Sequence, residues 1–325
     1  MAAGLSLRRE NPISATIDRH DGLLAPRHNR HKMQDGAYGR RAESGQIDMA
    51  GMKDVLRALT PPILWQTPQR LKSHSAAPKS QSVEYEGPLP SWEAAVSRSD
   101  GWDSPVMTAK TLNAALMVRD GLLEFEQDLV ARKNIVYSET ILAFLLLVIS
   151  RHKDVLNIID FGGALGTNYF QNRKILRHLS ATAVRWNIVE RPTLAKLGME
   201  HFQTTELKFY SALNDVLSNP APLPDALLFS GSLQCIADPF SLLDQAVNAG
   251  ICIIALDRLP VSPGNEDTVY IQHPNPDVYQ TTFPTWYFAK DAFVAWFVSR
   301  GFILVEHFAS PFGTRHCGMI FVRNL

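Results

Sequence analysis

From Pro90 onward the apolar residues of this chain recur at helical or strand spacing. Ser91 predicts a helix N-cap with Trp92, Ala95 and Val96 on one face, and Ser104 followed by Pro105 predicts a second cap with proline in the first turn. The spacing of Leu112, Ala115, Leu116, Leu122, Leu123, Phe125 and Leu129 predicts one long helix over Val106 to Ala131, or two broken near Gly121. Ser138 and Glu139 open a further apolar helix through Ser150. About 60 residues of helix are thus expected before the first strand. That strand, Val155 to Phe161, is a nearly continuous apolar run of the kind a sheet buried on both faces requires. Strand-like runs follow at Trp186 to Val189, Leu207 to Tyr210, Ala226 to Phe229, Ile251 to Leu256, Phe302 to Phe308 and Gly318 to Val322. Helical runs separate them at Asn168 to Leu179, Pro192 to Met199, Pro239 to Ala249 and Lys290 to Arg300. Alternating strand and helix predicts an α/β, mostly parallel, Rossmann-like sheet of about seven strands. Only a short turn-rich segment joins the last two strands, so the final one is expected to insert antiparallel beside the fifth.

Upstream, residues 1–51 hold one aromatic residue, Tyr38, and no valine or cysteine. Such a composition predicts a disordered tail, with the basic cluster Arg27, His28, Arg30, His31 and Lys32 solvated within it. The character changes at Met52, an alternative start of translation, where a short amphipathic helix is expected before Pro61 and Pro62. Ser73 to Ser82 reads as a linker. The expected organisation is therefore a tail over 1–51, a linker and helical N-terminal region over 52–152, and a ligand-binding domain over 153–325.

The charges change this picture only by exclusion. There are 32 Lys+Arg against 32 Asp+Glu, so the chain has no net field with which to capture nucleic acid. Cys235, Cys252 and Cys317 are too few and too scattered for a disulfide framework or a zinc site, which suits a reducing cytoplasm, and no metal is expected. The longest apolar run, Ile141 to Ile149, is about half a membrane span.

The chemistry gathers where the first strand ends in Asp160-Phe161-Gly162-Gly163-Ala164-Leu165-Gly166 and enters a helix. A glycine-rich turn lets a ligand approach the backbone, and the helix N-terminus supplies free N–H groups. Glu190, thirty residues after Asp160, closes the second strand, where a carboxylate can accept from both ribose hydroxyls. A dinucleotide fingerprint ending on Gly166 would need glycine at position 161, which is Phe161. The pattern expected for S-adenosylmethionine, an acid followed by glycines two, four and six residues later, is met by Asp160, Gly162 and Gly166, with Ala164 at the middle position and Gly163 beside it.

These stretches, together with Trp186 to Pro192, Ser230 to Pro239, Leu256 to Pro260 and Phe283 to Trp286, resemble a family of class I S-adenosylmethionine-dependent methyltransferases associated with bacterial surface-polysaccharide biosynthesis. Gly87 to Trp92 and Glu126-Gln127-Asp128 look like that family's N-terminal region. The resemblance covers roughly residues 52–310. It implies that Gly162, Gly163 and Gly166 face the methionine part of the cofactor, that Asp160 orders the loop, and that Glu190 holds the ribose. Where many class I enzymes carry an acid for the adenine amino group, the third strand has Tyr210-Ser211-Ala212, leaving the backbone or Ser211.

Ser230, expected to bind the cofactor, and Gln234 follow the fourth strand and are expected to line the methyl-transfer cleft, and Asp257-Arg258 follow the fifth, all at the carboxyl edge. The long segment 258–285 reads as an acceptor loop with prolines at 260, 263, 274, 276 and 284. It supplies Gln272, His273 and Tyr279, with Trp286 just beyond it. For a hydroxyl acceptor, a small molecule or glycan, His273 or Asp257 is the expected base, and Arg258, Gln272, Tyr279 and Trp286 the expected contacts. Tyr169 or Trp286 could face the sulfonium through a cation–π contact. The expected activity is O-methylation of a sugar or glycan precursor. The alternatives are an NAD(P)-dependent sugar-modifying oxidoreductase, which lacks a Tyr-x-x-x-Lys pair here, and a non-catalytic scaffold.

Overall fold

In the computed structural model the described residues are 83–151, 155–178, 183–219, 222–276, 279–311 and 313–323. The expected tail, the helix after Met52 and the linker at 73–82 lie outside them. Chain order begins with strand β1 (Glu84–Leu89) and helices α1 (Trp92–Val96) and α2 (Pro105–Arg119). Both helices start at their sequence-marked caps: Ser91 Oγ accepts from the Ala94 N–H at 3.3 Å and Ser104 Oγ from the Met107 N–H at 3.4 Å. Of the one long helix or two broken near Gly121 expected over 106–131, the first part ends at Arg119, beside that break, and the residues beyond form a hairpin instead of a second helix, β2 (Phe125–Gln127) and β3 (Val130–Arg132). Asp128 and Leu129 at its tip have φ of 52° and 66°, the pair of left-handed residues that a two-residue hairpin turn uses. Helix α3 (Glu139–Arg151) buries Ile141, Phe144, Leu145 and Val148 at the spacing of one helical face. The region before β4 is thus mixed rather than purely helical.

The alternating unit runs β4 (Val155–Phe161), α4 (Thr167–Leu176), β5 (Ala183–Val189), α5 (Pro192–His201), β6 (Leu207–Tyr210), α6 (Leu213–Leu217), β7 (Ala226–Ser230), α7 (Pro239–Asn248) and β8 (Ile253–Ser262). It continues through β9 (Thr268–His273), β10 (Phe283–Ala289), α8 (Lys290–Val298), β11 (Phe302–Ala309) and β12 (His316–Arg323). Strands β6, β5, β4, β7 and β8 lie side by side and parallel in that order. β12 runs antiparallel between β8 and β11. The sheet does not stop at these seven strands: among the described residues it has ten, because β8 also pairs with β10, β10 with β9, and β9 with β1. Half of the segment expected as an acceptor loop is therefore strand, with Pro260 inside β8 and Pro284 inside β10. The three added strands hang on the core by a short parallel ladder, Phe288 to Val261 and Ala289 to Ser262.

Strand alternation divides the core into two layers. Ile158, Ile188, Leu228 and Ala255 pack with α3, α4 and α5, and Ile159, Val189, Leu227, Phe229 and Ile254 with α6, α7 and α8. A smaller cluster, Ala95, Val269 and Ile271, sits beneath α1. Among the described residues no helix is long and apolar enough to cross a membrane.

Candidate functional site

β4 and β7 are neighbours whose following helices lead to opposite sides of the sheet, so their carboxyl ends frame the crevice in which open α/β sheets bind ligands. Asp160 closes the floor of this crevice. Its carboxylate is fully buried and accepts from Trp186 Nε1 at 3.0 Å and from Asn168 Nδ2 at 3.2 Å. Burial pushes its pKa up to about 6, against the opposing pull of those donors. A Cβ at Gly163 would stand 2.7 Å from this carboxylate, so Asp160 supports the glycine loop from below. At Gly162, with φ of +73°, a Cβ would lie 2.5 Å from Ser232 Cβ, and Ser232 Oγ donates to the Phe161 carbonyl at 2.5 Å. At Gly166 the nearest atom is Phe170 Cε2, at 3.0 Å. The missing side chains of all three glycines therefore make room for protein groups, which leaves the loop's backbone, and not cavities at those glycines, to meet a ligand.

Glu190 follows β5. One carboxylate oxygen accepts from the Arg191 N–H at 2.5 Å, and the carboxylate also accepts from the Ala164 N–H of the glycine loop. Burial raises its pKa, while the two backbone donors oppose that rise. A carboxylate offers about four lone-pair positions, so Glu190 retains acceptor capacity for two hydroxyls. At the tip of β6, Ser211 Oγ donates to Asp215 Oδ2 at 3.2 Å, and the Ala212 N–H donates to the same oxygen at 3.1 Å. Asp215 thus brings to the third strand's end an acid that the sequence lacks at the tip itself. Its signal is an acid in the first turn of α6, four residues downstream.

Ser230, expected on the cofactor side, comes together with the expected acceptor-side residues Asp257, Arg258 and Tyr279. Asp257 accepts from Ser138 Oγ at 2.9 Å and from Ser230 Oγ at 2.7 Å, so both of its oxygens are engaged and α3, β7 and β8 are tied at one point. Arg258, at φ +56°, donates from NH2 to the Ser230 carbonyl at 3.0 Å and meets Asp128 Oδ1 with NH1 at 3.3 Å. A Cβ at Gly231 would stand 2.9 Å from that guanidinium. Tyr279 donates to the same Asp128 oxygen at 3.4 Å, and burial followed by the Asp128 charge pushes its phenol far up. Beside them Glu126, missed as a site residue by its sequence, is buried and accepts from Thr167 Oγ1 at 2.5 Å and from the Leu129 N–H at 3.1 Å.

Strand alternation separates the other acceptor residues. Gln272 pairs with Tyr85 and Phe283, so it shares a face with Tyr270, Thr285 and Tyr287. His273 and Trp286 occupy the opposite face, toward α1. The His273 ring meets Glu86 Oε2 at 3.3 Å, and Trp286 donates to the Ile236 carbonyl at 3.0 Å while stacking on Trp92. Tyr169 donates to Glu206 at 2.8 Å and helps line a cavity of about 110 Å³ that also touches Ala183 and Val184 at the start of β5. That is the amino edge, away from the crevice, so Tyr169 is not placed to face a sulfonium there. A strap over 100–103 bridges the two halves. Arg191 donates to the Trp102 carbonyl at 2.7 Å and pairs with Asp103, Trp102 stacks on Phe283, and Asp100 accepts from the Thr282 N–H at 3.0 Å and its hydroxyl at 2.9 Å.

No family model matches the sequence, and no curated protein matches it. Among solved structures it is similar to the 1,6-didemethyltoxoflavin-N1-methyltransferase of Burkholderia thailandensis, at 13% identity over 70% of this chain and 95% of that one, with a TM-score of 0.39. It is also similar to the CcbJ methyltransferase of Streptomyces caelestis, at 11% identity over 67% and 99% of the two chains and a TM-score of 0.42. A third likeness is to the sugar N-methyltransferase KedS8 of a Streptoalloteichus species, at 14% identity over 58% and 88% and a TM-score of 0.37. At these scores the likenesses add no argument to the strand order.

Proposed function

We propose that this chain is an S-adenosylmethionine-dependent methyltransferase acting on a hydroxyl of a sugar or glycan precursor. The observation that carries the reading is β12, antiparallel between β8 and β11, which departs from the parallel dinucleotide-binding sheet. Phe161 at the position where the dinucleotide fingerprint needs glycine argues in the same direction. The residues present fit the cofactor's chemistry: Glu190 has spare acceptor positions for a ribose, and Asp215 is a surface acid at the tip of β6 suited to an exocyclic amine. When bound, S-adenosylmethionine supplies an electrophilic methyl on a sulfonium. Asp160 fixes the loop by holding Trp186 and Asn168, and Asp257 fixes α3, β7 and β8 around the acceptor side. Arg258, Asp128 and Tyr279 join the hairpin to the segment before β10, which excludes water and sets the acceptor's approach.

Calorimetric titration with S-adenosylmethionine, its demethylated product and NAD tests the reading. Glu190→Ala should weaken S-adenosylmethionine binding tenfold to several hundredfold in a folded protein, since each charge-assisted bond is worth about 1.5–3 kcal/mol. Binding of NAD in place of S-adenosylmethionine, or wild-type affinity in the variant, refutes the assignment.

A further inference from the structure

β12 runs antiparallel to β8, so the chain enters it at the carboxyl edge of the sheet. Arg315 stands at that entry. Its carbonyl accepts from the Val261 N–H of β8 at 2.8 Å, which fixes the backbone from which its side chain leaves, and the residue is exposed. Next to it, the His316 ring lies 6.1 Å from that of Tyr287 on β10. Tyr287 is one of three tyrosines gathered on one face of the small sheet, its ring 4.9 Å from Tyr270 of β9 and 5.4 Å from Tyr85 of β1. Gln272 shares this face, because it pairs with Tyr85 and stands two residues along β9 from Tyr270. The opposite face is covered by α1 through Ala95, Val269 and Ile271. Tyr85, Tyr270 and Gln272 are half-buried and keep accessible surface, whereas Tyr287 is buried. The tyrosine face also adjoins the crevice: Cys235, in the turn after β7, lies within charge range of Tyr85 on one side and of Arg258 and Glu190 on the other.

Tyrosine rings offer flat apolar area with a polar tip, which suits the C–H faces of a pyranose ring, and the Gln272 amide adds two donors and an acceptor for its hydroxyls. Neither group tells one sugar from another by charge. Arg315 can, because a guanidinium is a planar fork that meets a carboxylate or a phosphate with two parallel bonds. The site's carboxylates are already held: Asp257 by Ser138 and Ser230, Asp128 by Arg258 and Tyr279, and Glu86, on the opposite face of β1, by Arg98 and His273. Among the described residues Arg315 makes no ion pair, so its charge is left for a ligand. That charge reaches the tyrosine face: burial raises the phenols of Tyr85 and Tyr287, and Arg315 opposes the rise at both. We propose that Arg315 and the Tyr85, Tyr270 and Gln272 face form the acceptor subsite, which selects a sugar carrying a carboxylate or a phosphate. This assignment deepens the methyl-transfer reading above and rests on it. The anionic group is held at the rim by Arg315, and the sugar ring lies across the tyrosines toward the turn after β7.

Ligand-observed NMR titration of the full chain, with and without S-adenosylhomocysteine, tests this without turnover. The probes are D-glucuronate, α-D-glucose 1-phosphate and methyl α-D-glucoside, which share one ring and differ in charge. At least one of the two anions should bind about tenfold or more tightly than the neutral glycoside, and which one does so identifies the anionic group. Arg315→Gln, a change at an exposed residue, should erase that difference while affinity for the neutral glycoside stays within about twofold. Tyr270→Leu should instead weaken all three sugars by about fivefold. Equal affinity for the three sugars in wild type, binding of none of them, or an anion preference that survives Arg315→Gln overturns the proposal, as does unchanged binding of all three in Tyr270→Leu. Calorimetry with S-adenosylmethionine keeps the two readings apart. Arg315→Gln should bind it within about twofold of wild type, and loss of binding in the variant alone places Arg315 on the cofactor side and overturns its acceptor role. Failure of the wild type to bind S-adenosylmethionine refutes the methyl-transfer reading itself, whatever the sugars do.

Discussion

Asp160→Asn replaces a buried carboxylate by its neutral isostere beneath the glycine loop. The carboxyl has a pKa of about 6 in the folded chain against an ordinary value of 3.8, so between these values the native state binds more protons than the unfolded one. Stability from this group is therefore full below about pH 4 and is lost as pH rises through 6, the reverse of a salt-bridged acid. The whole displacement is worth about 3 kcal/mol, of which about 1.4 kcal/mol falls between pH 5 and pH 8. The amide cannot titrate, and Trp186 and Asn168 can still donate to its oxygen. The stability of Asp160→Asn relative to wild type should thus rise by about 1.4 kcal/mol from pH 5 to pH 8, measured by urea unfolding at the two pH values. Glu126, also raised by burial, titrates in both proteins and cancels in the difference, whereas Glu190, whose charge contributes to the rise at Asp160, cancels only in part. Parallel pH profiles would show that Asp160 does not carry the displaced proton, and a relative loss on going to pH 8 would show that its donors outweigh its burial.

Gly162→Ala should cost about 2 kcal/mol or more, from a left-handed alanine and a Cβ driven into Ser232. Adding Ser232→Gly should recover the steric part and leave the backbone part, read from urea midpoints. Asp100→Ala removes two bonds to Thr282 on an exposed strap, so the Thr282 amide should exchange with solvent about fivefold faster while global stability barely moves, checked by hydrogen-exchange NMR.

The buried strands were legible because parallel strands covered on both faces must be apolar almost throughout, and β4 and β7 are buried along nearly their whole length. The caps at Ser91 and Ser104 were legible for a local reason, a hydroxyl placed three residues before the N–H it accepts from. The β2–β3 hairpin was not, because its left-handed turn is made by Asp128 and Leu129, without the glycine or asparagine that normally marks one, and its apolar residues continue the spacing of α2. β9 and β10 were hidden by the prolines around them. In the site, Glu190 and Asp160 follow from their positions at strand ends and Asp215 from its local bonds to Ser211 and Ala212, whereas Glu126 meets Thr167 only through tertiary folding. His273 and Gln272 show the converse, since adjacency in sequence places strand neighbours on opposite faces.

The small sheet of β1, β9 and β10 is assembled from two places in the chain, with β1 supplied from before α1 and matched to β9 through Glu84 to His273 and Tyr85 to Gln272. In evolutionary terms it behaves as a split cassette. The cofactor-side residues from 155 to 230 form a continuous stretch that one recombination event can carry, but a new version of the small sheet needs segments 84–96 and 263–289 to change hands together. Chimeras exchanging only one segment would pair a foreign strand with a native partner, and divergence in this region should proceed by matched substitutions across the β1–β9 ladder.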